Sequence, residues 1–169
     1  MKNIRFIFAA FTLLFVFSQV NAQETSTSIN NVVIAYYGVK NALTADNSTA
    51  AQSSAKVLMN AIAAVPMDKM TADQHNAWMA YTDKLQYDSR HISENGALDH
   101  QREHFSSLSK NLYEVLKGLK INTTTIYEQY CPMKKATWLS ETAAIKNPYY
   151  GNQMLSCGKT TETIAPVNK

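Results

Sequence analysis

Charge of either sign is scarce in this sequence and nearly balanced: 16 Lys and Arg stand against 13 Asp and Glu in 169 residues. Two of the basic residues, Lys2 and Arg5, fall in an N-terminal segment with the marks of an export signal, and without them 14 face 13. No run of Lys or Arg breaks the balance, so the electrostatic footprint of nucleic-acid binding is missing. Long apolar runs are equally scarce. The one present, Phe6 to Phe17, is shorter than the roughly 20 residues that span a bilayer, and none follows, which argues against stable membrane insertion. There is no Gly-rich phosphate loop, no G-x-S-x-G elbow and no cysteine with a catalytic histidine pattern, so these enzyme classes are not indicated. Internal repeats and low-complexity tracts are missing too. Cysteine is reduced to Cys131 and Cys157, which allows no more than one internal disulfide.

What is present begins with that N-terminal segment. Lys2 and Arg5 precede the apolar run, and Val20 and Ala22 fit a signal-peptidase site before Gln23. Residues 1–22 therefore read as a cleaved signal peptide, and the rest as exported and periplasmic. No cysteine stands at the cleavage point to take a lipid. The remaining 147 of the 169 residues suit one core, hence a single helical domain over 23–169.

Helical periodicity dominates up to about residue 120. Ile29, Val32, Val33, Tyr36, Tyr37, Val39 and Leu43 recur at helical spacing, and Asp46-Asn47-Ser48 offers an N-cap for a second helix that stops before Pro66. Thr71 and Gln74 have capping-box spacing and open a third helix through Trp78, Tyr81 and Leu85 towards Ile92, ended by Asn95-Gly96. A fourth starts near Ala97, carries Phe105, Leu108, Leu112, Val115, Leu116 and Leu119, and fades at Asn122 to Thr125. Short connections favour antiparallel neighbours, so the expected fold is all-α: an up-and-down bundle of four helices over about 29–120. Residues from about 126 to 165 lack clean periodicity and read as an irregular Cys/Met/aromatic cap with one short helix near Ser140 to Ile145.

The cap carries the densest unusual chemistry. Each cysteine has a methionine nearby, Cys131-Pro132-Met133 and Met154-Leu155-Ser156-Cys157. Thiolate and thioether are soft ligands that favour Cu(I) or Ag(I). Cys131, Met133, Met154 and Cys157 therefore form a candidate metal set, with His104 as a neighbour. Against it stands a Cys131–Cys157 disulfide, whose loop of roughly 25 residues would contribute about 3 kcal/mol. The histidines are a further candidate: His100 and His104 share a helix face, and His91 ends the preceding helix. His100-Gln101-Arg102-Glu103-His104 also fits H-x-x-E-H, the inverted zinc-peptidase motif, but without its downstream acidic ligand. Trp78, Tyr81, Tyr113, Tyr127, Trp138, Tyr149 and Tyr150 are read as packing residues.

Four blocks in order, Cys131-Pro132-Met133, Trp138-Leu139-Ser140, Asn147-Pro148-Tyr149-Tyr150-Gly151 and Met154-Leu155-Ser156-Cys157-Gly158, follow Gln101 to Ser109 on the fourth helix. In these the chain resembles a bacterial family of exported domains of unknown function, found alone or joined to periplasmic adaptor subunits of copper/silver-type heavy-metal efflux pumps. The likeness is strongest from His100 onward. It implies metal handling beside an efflux adaptor and supplies no ligand set. The expectation is a non-catalytic, periplasmic Cu(I)/Ag(I)-type binding accessory; the alternative is a structural domain, stapled by the disulfide, that docks on an efflux partner.

Overall fold

The computed structural model describes residues 3–167, with side chains from Gln23 onward. The expected signal segment, residues 1–22, thus lies outside the residues whose side chains are described. Four helices follow in order, α1 (Asn3–Thr44), α2 (Ser48–Ala63), α3 (Ala72–Glu94) and α4 (Leu98–Leu119), and successive helices are neighbours. Their ends obey local chemistry. Asn47 caps α2 by accepting from the Ala50 amide at 2.9 Å. Thr71 and Gln74 form the expected reciprocal capping box on α3, and α4 stops where Lys120 turns left-handed at φ 50°. Among the described residues no helix is long and apolar enough to cross a membrane.

The core gathers the apolar stripes of all four helices, with Ala51, Ala55, Leu58 and Ile62 of α2 buried in it. Ile29, Val32, Val33, Tyr36, Val39 and Leu43 are buried, as are Phe105, Leu108, Leu112, Val115, Leu116 and Leu119. Trp78, Leu85 and Ile92 extend it along α3.

The C-terminal region corrects the all-α expectation. Instead of an irregular cap it forms a three-stranded antiparallel sheet of order β2-β1-β3, from β1 (Ile126–Cys131), β2 (Ala136–Ser140) and β3 (Lys159–Ile164). Its period-two signal is masked for physical reasons. A register shift between Glu128 and Gln129 interrupts the β1–β3 ladder, as bulges do. Gln129 is fully buried although polar, and β3 is an edge strand of mostly exposed polar residues. Pro132 to Lys135 close the β1–β2 hairpin, with Lys135 left-handed at φ 57° and its amide bonded to the Cys131 carbonyl at 2.8 Å. The short helix expected near Ser140 to Ile145 is not formed. Residues 141–144 bend instead, and the Gln129 side-chain amide donates to the Thr142 and Ala143 carbonyls at 3.0 and 3.2 Å.

Buried polar contacts fasten this sheet to the bundle. The Tyr36 hydroxyl on α1 meets Ser109 Oγ on α4 at 2.7 Å and accepts from the Leu139 amide on β2 at 3.0 Å. Arg102 on α4 donates to the carbonyls of Pro148 at 2.9 Å and Leu43 at 3.2 Å and pairs with Asp46. Lys40, buried on α1, reaches Glu141 at 2.7 Å. Burial pulls the Lys40 ammonium below its ordinary range. Burial pushes the Glu141 carboxyl up, but hydrogen bonds from Lys40, its own amide and Asn41 outweigh that and leave it below the usual range.

Candidate metal centre

The sulfur set is dispersed in environment. Cys131 is fully buried on β1, Cys157 half-buried before β3, Met154 half-buried after a 3-10 turn, and Met133 stands 61 % exposed at the hairpin tip. No disulfide joins the cysteines; both are free. The Cys131 sulfur accepts from the Asn147 side-chain amide at 3.2 Å and from the Lys134 amide at 3.4 Å. Asn147 also donates to the Cys157 carbonyl at 2.8 Å and accepts from the Tyr149 amide at 2.9 Å. The Cys-Pro-Met and Asn-Pro-Tyr blocks therefore do structural work here: they close a hairpin and lace the segment before β3 onto β1.

His104 sits elsewhere, at the corner where α3 turns into α4. That corner spans Asn95-Gly96-Ala97, with the Asn95 side chain accepting from the Ala97 amide at 2.8 Å. Buried Gln101 donates inward to the carbonyls of Asn95, Ile92 and Ser48 at 2.8, 3.3 and 3.1 Å. The antiparallel pair so fixed brings His91, near the end of α3, over His100 and His104, one turn apart at the start of α4.

The three rings offer nitrogen atoms that all lie within 4.8 Å of one another, each ring half-buried. His91 stacks on His104 with centroids 4.3 Å apart at 19°, and His100 meets His104 edge-on at 4.6 Å. Tyr87, 55 % exposed, lies against His91 at 4.3 Å. Asp88, only 3 % exposed, holds His104 Nδ1 at 2.9 Å. A carboxylate accepting from Nδ1–H leaves Nε2 with a free lone pair, the arrangement that orients ligating histidines in metal sites. Among the described residues this is the one group of three His, Cys, Asp or Glu close enough to share an ion. His91 and His100 were singled out in the sequence as neighbours of His104; Asp88 was not.

Glu103, the would-be water activator of the H-x-x-E-H match, is exposed and lines a groove of about 490 Å³ with Ser106, Ser107, Lys110, Lys134, Lys135 and Thr137. It is not a member of the histidine group.

Fold and site together define a small helical-bundle domain, closed by a sheet, with three histidines converging across one helix corner. The chain matches the family described as protein of unknown function (DUF3347) over residues 32–124, more than half its length, and belongs to that family. The matched stretch is the bundle; it contains Asp88 and all three histidines and ends before β1. The cap blocks that carried the resemblance most strongly in the sequence lie beyond it. No curated protein and no solved structure matches the chain.

Proposed function

We propose that this protein is a non-catalytic metal-binding domain whose His91, His100 and His104 hold one transition-metal ion. The observation that supports it is the convergence of three imidazoles from two rigidly joined helices, one already oriented through Nδ1 by a buried carboxylate. Imidazole suits zinc, copper, nickel and iron, and pre-positioned ligands on helices lower the cost of assembling a site. The N-terminal segment supports export to the periplasm, and the resemblance to domains joined to copper/silver-type efflux adaptors supports a role as an accessory in metal efflux.

The test is metal uptake by equilibrium dialysis with elemental analysis. The parent should retain one ion per chain, and His91→Ala, His100→Ala and His104→Ala should each lose it while Cys131→Ser and Met133→Leu keep it. Retention by all three histidine variants and loss by Cys131→Ser would return the site to the sulfur set.

A further inference from the structure

The donor set at the corner of α3 and α4 is chemically uniform, and that uniformity bears on which ions it can take. All three donors are imidazole nitrogens. Sulfur is absent from the group, since Cys131 is engaged with Asn147 and Lys134 on the sheet. Carboxylate oxygen is absent from it as well; Asp88 is engaged with His104 Nδ1. Soft monovalent ions favour thiolate and thioether, and hard Mg²⁺ or Ca²⁺ favour six or more oxygens, so neither class finds its preferred donors here.

Distances fit the intermediate class. An ion with metal–nitrogen bonds of 2.0–2.1 Å in a tetrahedral arrangement holds its nitrogens about 3.3 Å apart. The nitrogens already lie within 4.8 Å of one another, so each pair closes by no more than about 1.5 Å to reach that spacing.

Asp88 adds an independent observation. It is a carboxylate nearly closed off from solvent, with His104 its one hydrogen-bond partner among the described residues. A carboxylate buried against a ring that holds a divalent cation is both compensated by the ion and placed to orient that ring. Three protein ligands leave at least one coordination position open, on a half-exposed surface beside Tyr87.

Resting on the metal-binding reading above, we infer that the His91/His100/His104 site takes a borderline divalent ion, Cu²⁺ or Zn²⁺, in preference to Ag⁺ and Cu⁺ or to Mg²⁺ and Ca²⁺, with Asp88 as its positioning residue.

Co²⁺ serves as the probe, because its visible d–d band reports the triad and not silver held at a thiol elsewhere. Purified protein loaded with Co²⁺ is titrated with Cu²⁺, Zn²⁺, Ag⁺ and Mg²⁺. Cu²⁺ and Zn²⁺ should displace the band near one equivalent, Cu²⁺ the more tightly, while Ag⁺ and Mg²⁺ in large excess leave it. Asp88→Ala should weaken Zn²⁺ binding by about 10–100-fold with the melting temperature of the metal-free protein little changed, and Asp88→Glu should restore most of the affinity. Should Asp88→Ala fail to fold, Asp88→Asn keeps the shape and should still lose about tenfold. Displacement by Ag⁺ ahead of Zn²⁺ would overturn the ion class. Unchanged Zn²⁺ affinity in the folded Asp88 variants would overturn the positioning role. A parent that takes up neither Co²⁺ nor any competitor would instead sink the metal-binding reading, and this inference with it.

Discussion

Arg102 ties α4 to the end of α1 and to the segment between β2 and β3, and Arg102→Ala should show what that tie contributes. The guanidinium satisfies the Leu43 carbonyl at the end of α1, the Pro148 carbonyl in the segment before β3, and the Asp46 carboxylate in the α1–α2 turn. Truncation leaves the Pro148 carbonyl without its donor and takes one donor each from the Leu43 carbonyl, which keeps the Asp46 amide at 3.2 Å, and from Asp46, which keeps the Asn152 amide at 3.0 Å. Breaking a buried pair of this kind costs about 3–5 kcal/mol. The Asp46 side chain is 30 % exposed and regains water, so the expected loss is about 2–4 kcal/mol. Urea unfolding measures it. The pH dependence provides a second reading. Asp46 is held below the usual carboxylate range, first by the Asn152 amide and then by Arg102. A carboxyl whose folded value is depressed contributes stability that is complete above its unfolded value near 4 and is lost as pH falls through the folded value. The parent should therefore lose stability below about pH 4 more steeply than Arg102→Ala. A loss under about 1 kcal/mol with unchanged acid dependence would mean that Arg102 is a surface residue in solution.

Phe105, fully buried, stacks on Tyr36 at 5.2 Å and meets Tyr149 at 5.8 Å; Phe105→Ala should cost about 3–5 kcal/mol and lower the melting temperature by about 6–20 °C in calorimetry. Gly151 has φ 52°, and a Cβ there would fall on the Asp46 carboxylate, so Gly151→Ala should destabilise by at least 1 kcal/mol in the same urea assay, whereas a neutral outcome would contradict the seating of this turn. Under native conditions a thiol reagent should label half-buried Cys157 and spare Cys131 until denaturant is added; no labelling of either cysteine, with two thiols appearing only after reduction, would reveal a disulfide.

The bundle was legible because its signals are local. Stripes such as Phe105, Leu112 and Leu116 repeat at helical period, and Asn47 and Thr71 mark helix starts by side-chain chemistry. The sheet was not, because its strands are ordered by tertiary contacts: buried Gln129 takes carbonyls 13 and 14 residues away, and β3 has few buried residues to alternate. At the site, His100 and His104 announced themselves by spacing, and His91 by the short corner between helices. Asp88 carries no such mark; on α3 it reads as one more solvated charge until the packing of α4 covers it. The sulfur residues differ in burial for a reason their spacing does not carry. Their spacing suggested soft-metal ligands, but hairpin geometry puts Met133 at an exposed tip and Cys131 inside.

His91, His100 and His104 are proposed to share one ion. Anomalous diffraction from crystals grown with Zn²⁺, collected on either side of the zinc edge, tests it directly. One strong peak is expected about 2.0–2.1 Å from a ring nitrogen of each of the three histidines, with Asp88 still on His104 Nδ1. A peak between Cys131 and Cys157, or no peak at the α3–α4 corner at full zinc occupancy elsewhere, would contradict it.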